Sequence, residues 1–513
     1  MRFIITFLLG FCLAQTEAQQ IYFSDYERTD LRNTTYRLIG KYNRHYLIYK
    51  NNRSDHWITI YDAEMHVNGQ VSLDFIPGRN ISVDCFPYHG GALLVYQYQQ
   101  KNVVYCMGAL VDATGKMAVA PKLLDTTMLS VYTADKKIYN TLVSENKKHA
   151  MLLKIRQPIR EQYAFKAFLF DSLVQQKQVS DFTYETKEPL RDFMLDNKGN
   201  FIFSHPDMNA GSRDNHALYL CQLTAGTDQL NVRKFNLPPI YLDEVHLKAD
   251  PFQGRLVLSS FYANTRRGSI DGLYFLSVDE TSLEAQQQKI FEFTDELRET
   301  ARGENSRQTA FDDYYIRQFY IKKDGGVIIT AESNYSSNRN VNMGRWDAPF
   351  GWGGSWGGGW GGPWGGGGWG FGPFGNMGWG MPGWNGVGAN VIRYFSDNIV
   401  IFSVDKQGNM EWNNVLAKAQ FDDQTDRMLS FQTLNNGRDI LFLYNEWSRR
   451  TPILTAQSLS HEGRIARQLP LRNMNSGYEF IIRDAKQVGS KELLVPVIYR
   501  NVIGFARIDF TGN

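Results

Sequence analysis

Along most of its length the chain alternates apolar and polar positions with a period of two, in short runs that stop at Gly, Asp or Asn. The apolar members are mainly Val, Ile, Phe and Tyr, which suit a pleated, half-buried surface. Asp and Asn tolerate tight turns, and Gly supplies the positive φ such turns require. The pattern reads as strand–turn–strand at His66–Leu73, Ala109–Val119, Phe193–Ser204, Tyr320–Ala331, Phe402–Trp412 and Ser458–Arg467. Amphipathic helices are nearly absent. The best candidate is Thr294–Arg302, where Asp295 and Glu296 favour a helix start.

The hairpins come in pairs, giving four strands per about 45–55 residues, the repeat of a propeller blade rather than a sandwich. Modules fall at roughly 35–74, 79–124, 128–181, 189–236, 241–294, 313–417, 427–471 and 478–510. The last holds about three strands, and the early segment Gln20–Tyr26 supplies a fourth that closes the ring and removes exposed sheet edges. A chain this long ordinarily divides into two or three domains, yet no linker interrupts the theme. The expected fold is all-β, a single propeller over residues 19–513, with eight four-stranded blades and seven as the alternative.

One stretch breaks the pattern. Residues 343–390 carry eight of the chain's 11 tryptophans and 21 of its 45 glycines. Glycine this dense loses too much backbone entropy on ordering to form a regular element, while tryptophan gains strongly on leaving water. Strand patterning resumes on both sides, so the expectation is a disordered insertion within the sixth module. Trp352, Trp356, Trp360, Trp364 and Trp369 recur at intervals of four or five. They can present rings to a glycan surface, a lipid interface or an envelope protein. The competing reading is a passive spacer.

The first 18 residues have the grammar of a secretory signal peptide: Arg2, an apolar run Phe3–Ala14 and a small-residue site at Thr16-Glu17-Ala18. Cys12 raises lipidation, against which Phe11 stands where a small residue is wanted. No stretch reaches the roughly 20 apolar residues of a spanning helix. The expected destination is across the inner membrane, to a periplasmic, outer-membrane-associated or extracellular place. Net charge is +2 with no basic block, which makes a nucleic-acid partner a poor fit. Cys85, Cys106 and Cys221 remain in the mature chain. Cys85 and Cys106 sit on neighbouring expected strands and either bridge or serve as small buried hydrophobes.

Catalytic signatures are sparse. Gly353-Gly-Ser355-Trp-Gly357 matches a nucleophile elbow formally, but lacks the strand and helix the elbow needs. The nine histidines form no H-x-x-x-H or H-E-x-x-H pair, so no metal or cofactor is expected. His89, His205, His216, His246 and His461 fall near expected turns or strand ends. Asp312-Asp313 and Asp422-Asp423 with Asp426 flank the sixth module. Paired carboxylates can bind calcium or act as acid and base on a glycan; solvated loop charge is the other reading. Tyr444, Trp447 and Arg449, with Arg450 and Arg483, fall near strand ends and could line an aromatic-floored binding pocket, with packing between blades as the alternative.

The segment Asn398–Trp412 (NIVIFSVDKQGNMEW) resembles the strand–turn–strand of quinoprotein-type propeller repeats at Val404, Asp405, Gly408 and Trp412. Only this copy keeps the tryptophan, which disfavours a quinoprotein dehydrogenase. The last part of the chain, with YNEW and YRNVIGFARIDF, resembles a set of secreted bacterial propeller-like proteins without established activity. The resemblance implies fold and location and no reaction. The reading is therefore a secreted, non-enzymatic binding or scaffold protein of the cell envelope. The runner-up is a propeller-type glycan-active enzyme with a central carboxylate pair.

Overall fold

The computed structural model describes residues 19–25, 34–52, 54–129, 137–159, 161–188, 190–208, 216–266, 268–302, 311–338, 341–342, 393–423, 425–448, 451–467, 477–500 and 502–511. The expected signal peptide, residues 1–18, and the Gly/Trp-rich stretch 343–390 lie outside them.

The alternating runs fold into eight antiparallel sheets, the blades of a β-propeller, numbered I to VIII in chain order. Blades I to V span 34–72, 82–128, 139–185, 191–236 and 241–292. Blade VI spans 314–422, blade VII spans 431–467, and blade VIII begins at Tyr478. Each expected module coincides with one blade. In blade I the burial pattern falls from the buried strand His45–Asn52 to the exposed outer strand Val67–Ser72.

Eight apolar clusters lie in the interfaces between neighbouring blades, one per interface. The interface of blades VIII and I is filled by Leu494 and Phe505 against Leu38, Tyr46, Ile48, Tyr61 and Met65. Burial of these faces supplies the main drive to close the ring. The closing strand is Gln20–Phe23, paired antiparallel with Val502–Asp509 from Gln20 opposite Asp509 to Phe23 opposite Ala506. Phe23 stacks on Tyr478 at 4.1 Å. Buried Lys486 of blade VIII also donates its ammonium to the carbonyls of Leu38 (3.1 Å) and Ile39 (2.8 Å) in blade I.

One turn recurs among the hairpins. The Asp405 carboxylate accepts the N–H groups of Gln407 (2.9 Å) and Asn409 (2.7 Å), and Gly408 takes φ +81°. The turn recurs at Asp112 and Asp196 with Gly115 and Gly199. At Asp62 and Asp171 the positive-φ place is held by Met65 (φ 68°) and Val174 (φ 56°). Both side chains are buried between blades, and that packing offsets the strain of a left-handed conformation. This corrects one expectation. The turn lies at Asp62–His66, and Asn68-Gly69 sit inside the outer strand Val67–Ser72. The expected helix forms as Asp295–Ala301, capped by Thr294, whose hydroxyl accepts the Leu297 N–H.

Candidate functional site

Blade VI is the blade whose pairing is broken at the end that carries the insertion. Its second strand, Val327–Asn338, points Val327, Ile329 and Ala331 at blade V and Ile328 toward blade VII. Continuing that alternation puts Glu332 on the blade VII side, where an apolar residue would be expected. Register breaks fall between Ile316 and Gln318 on one side of this strand and between Glu332 and Asn334 on the other. Bulges of this kind re-aim side chains and are over-represented beside functional sites. Here they bring Arg317, Asp397 and Asn398 out of the ladder and free Ser333 from the third strand.

Glu332 is fully buried. Its carboxylate meets the Lys418 ammonium at 3.0 Å and the Arg317 guanidinium at 3.4 Å. It accepts hydrogen bonds from Ser430 (2.6 Å), Ser396 (2.8 Å) and Asn334 (3.0 Å). Burial alone would raise its pKa, but Lys418 and Arg317, helped by Ser430 and Asn334, outweigh it and hold the group at about 2. Burial pulls Lys418 below its ordinary value, and Glu332 opposes that pull. The Lys418 ammonium also donates to the Ser396 carbonyl (2.7 Å) and to Gln420 (2.8 Å). Gln420 donates to the Asn445 carbonyl (2.7 Å), and Asn445 to the Phe480 carbonyl (2.8 Å). One polar chain thus runs from blade VI through VII into VIII.

On the other face of the same hairpin lies a second acidic group. Asp313, just before the innermost strand, is buried, and Asp397 on the third strand fully so. Tyr335 donates its hydroxyl to Asp397 at 3.0 Å. Burial raises the Asp313 carboxyl to about 7, with Asp397 and Asp312 adding to the rise and Ser333 opposing it. Toward the axis, the innermost strands of blades IV and V approach: Asp192 accepts the Leu247 N–H at 2.9 Å. His246 sits 3.5 Å from Asp192 and 3.9 Å from Glu244.

Beyond these groups the hairpin continues outward, pairing Asn334 with Ser396 through to Ser337 with Arg393. Tyr335 and Phe395 stack at 4.5 Å and 9°. Arg393 lies 4.7 Å over the Phe421 ring and pairs with Asp423 at 2.5 Å. The Gly/Trp-rich stretch is therefore strung between the two strands of a braced hairpin.

Few of the residues the sequence grouped for binding have described side chains. Tyr444 is wholly buried in the packing between blades VI and VII, its hydroxyl accepting from Gln457 at 2.5 Å. It floors no pocket. Trp447 lies on the strand Ile440–Ser448, its side chain outside the described residues, as are Arg449, Arg450 and all five insertion tryptophans. Ser355 falls there too. Arg483 pairs with Asp426 at 2.7 Å, tying blade VIII to the connection between VI and VII. His205 meets the Tyr184 hydroxyl (2.8 Å) and the Pro206 carbonyl (3.2 Å), and His216 the Ile240 carbonyl (2.8 Å). Among the described residues no group of His, Cys, Asp and Glu is arranged to hold a metal ion, and no helix is long and apolar enough to cross a membrane. Cys85, Cys106 and Cys221 are buried free thiols. Cys85 and Cys106 are not on neighbouring strands, because Gly91–Gln100 runs between theirs. That separation exceeds the reach of a disulfide.

Sequence reasoning missed Glu332, Asp397 and Lys418. The signal was present: a lone carboxylate in Val327–Ser333 and a lone cation within Val415–Ala419, each in an otherwise apolar run.

No protein-family model matches the chain, and no curated protein matches it. No family evidence therefore bears on the resemblance to quinoprotein-type or secreted bacterial repeats. Among solved structures the chain is similar to the WD40 domain of SCAP from fission yeast, at 7% identity and TM-score 0.39, covering 97% of this chain and 99% of that one. It is similar to polysaccharide lyase Uly1 at 9% identity and TM-score 0.36, covering 84% and 90%. An apocarotenoid oxygenase from Synechocystis gives 8% identity and TM-score 0.31, covering 96% and 93%. Likenesses this remote carry no functional argument; the propeller rests on the strand pairing and ring closure described above.

Proposed function

We propose that this protein is a secreted, non-enzymatic binding or scaffold protein of the cell envelope, with the Gly/Trp-rich segment as its adhesive element. The supporting observation is how blade VI treats the segment. Its root is a paired, braced hairpin anchored on a buried charge network, so the blade is complete without it. Eight tryptophans among glycines, with almost no charge, give the segment affinity for an apolar or sugar surface. Trp352, Trp356, Trp360, Trp364 and Trp369 are the proposed contact residues, and the partner is a glycan, a lipid interface or an envelope protein.

Deleting Gly351–Gly388 tests this against glycan arrays, liposomes and envelope fractions. Shortening a loop changes its closure entropy by only about 0.6 kcal/mol per halving, so thermal stability should stay within a few degrees while binding falls sharply. Changing the five tryptophans to Ser should copy the binding loss. Unchanged binding would make the segment a passive spacer, and unfolding would make the tryptophans core.

A glycan-active enzyme is the second reading. In its favour, blade VI holds two carboxyls in opposite protonation states, Asp313 pushed up to about 7 and Glu332 held at about 2. Against it, both are buried. Turnover of any glycan that is abolished in Asp313→Asn would establish this reading in place of the first.

A further inference from the structure

We propose that Asp313 and Asp397 form a proton-gated latch at the root of the blade VI hairpin, closed while Asp313 holds its proton and loosened when it is lost.

Three placements carry the inference. Asp313 is 5% exposed, and its Oδ2 has no hydrogen-bond partner. Its main-chain carbonyl accepts the Asn334 N–H at 2.8 Å, so it is tied to the second strand at the bulge. Asp397, fully buried on the third strand, holds the Tyr335 hydroxyl, and its charge adds to the rise of the Asp313 carboxyl. Both carboxyls are thus buried beside the bulge where the hairpin leaves the blade.

The charges that act on the Asp313 carboxyl are acidic. Asp312 adds a third carboxyl on the same segment. Blade V contributes Asp271 and Arg298 around Asp312, with Arg298 itself 3.7 Å from Asp271, and Glu244 near Tyr315. Tyr314 and Tyr335 face the same carboxyls as neutral phenols, their ionisation suppressed by burial and by these charges. Lys418 and Arg317 pair with Glu332, and Lys418 also feels the charge of Asp397. Among the described residues no cation pairs with Asp313. A buried carboxylate with one oxygen unpartnered and no paired cation is costly, and the Ser333 hydrogen bond offsets only part of that cost. Keeping the proton avoids that cost, and the value of about 7 reflects it.

The sign follows from linkage. Opening the root exposes Asp313 to water, where its pKa returns to about 4 and the proton passes to solvent. The closed root is fully favoured below about pH 4. It loses stability as pH rises to about 7, then levels off. Opening should grow by close to tenfold per pH unit within that window.

Hydrogen exchange of the intact protein from about pH 4.5 to about pH 8, corrected for intrinsic exchange, reads this directly. Protection of peptides spanning 331–337 and 393–398 should fall by close to tenfold per unit and level near pH 7. The strand Gly91–Gln100 in blade II should not change. Asp313→Asn, which mimics the protonated form, should remove the pH dependence. In Asp397→Asn the plateau should arrive at lower pH, because one source of the raised pKa is gone; this variant keeps the test decisive if Asp313→Asn does not fold. Protection at the root that is flat with pH, or that falls equally in blade II, overturns the latch, as does an unshifted plateau in Asp397→Asn. These outcomes are independent of whether the Gly/Trp segment is adhesive.

Discussion

Blades II and VI solve the same problem with different chemistry. Late in the second strand of each, a buried polar side chain reaches the start of the next blade. In blade II it is Gln97, fully buried, whose amide accepts the N–H groups of Ile138 (3.0 Å) and Tyr139 (3.1 Å) and donates to the Tyr139 carbonyl (2.8 Å). In blade VI it is Glu332, which accepts from Ser430, the residue before the first strand of blade VII. A neutral amide is satisfied by the backbone it meets, and the first three strands of blade II pair without a register break. A carboxylate needs countercharge. Blade VI supplies Lys418 and Arg317, and its pairing breaks beside them. Joining blades needs only hydrogen bonds; in blade VI a buried ion pair does the task beside the broken strand pairing.

The comparison predicts its own largest effect. Lys418→Met leaves Glu332 buried with half its countercharge and should cost about 3–5 kcal/mol in urea denaturation. Adding Glu332→Gln should recover much of that loss, since the amide restores what blade II does with Gln97. A Lys418→Met cost below about 1 kcal/mol would mean the pair is not structural.

Acid should separate the blades next. Glu332 has a folded pKa depressed to about 2. Its contribution is present above the ordinary Glu value of about 4.3 and is lost as pH falls toward about 2, by roughly 3 kcal/mol in all. The Asp313 window runs the opposite way, from about 4 to about 7, so stability should peak near pH 4 to 5 if these two groups dominate. Denaturation of Glu332→Gln across pH 2.5 to 5 should lack the acid limb; a limb identical to the parent's would place its origin elsewhere.

Gln97→Leu should cost less, about 1–3 kcal/mol, because it strands two N–H groups rather than a charge. Its effect should not vary between about pH 4 and 8. The turns give the smallest effect. Gly408→Ala forces a side chain to φ +81° and brings its Cβ within 3.2 Å of Gln287, for about 1 kcal/mol. Met65→Gly relieves similar strain but vacates a buried place between blades I and VIII, so it should still lose about 1 kcal/mol. A net gain there would mean the packing does not offset the strain.

How much was legible follows from the range of each interaction. Alternation, turn residues and the Thr294 cap are local, and local physics places strands, blades and the short helix within a few residues. The Asp405 turn was readable because Gly408 holds the positive φ. The Asp62 turn was not, because Met65 stands there and only the contact with blade VIII makes that acceptable. The same holds for Tyr444. Its residue type fits a sugar-stacking floor as well as a core, and only its neighbours in the ring show which.

By itself the sequence determined an all-β repeat, the number of its units to within one, the early strand that closes the ring, and the insertion's place in the sixth. Each follows from periodicity and composition along the chain. Tertiary structure decided that the ring has eight blades, that Cys85 and Cys106 lie apart, and that Glu332 finds Lys418 from 86 residues away while Asp313 is buried with one oxygen unpartnered. Those outcomes depend on which strands become neighbours and on charges that gain their meaning only once water is excluded, and neither is encoded within a single run of residues.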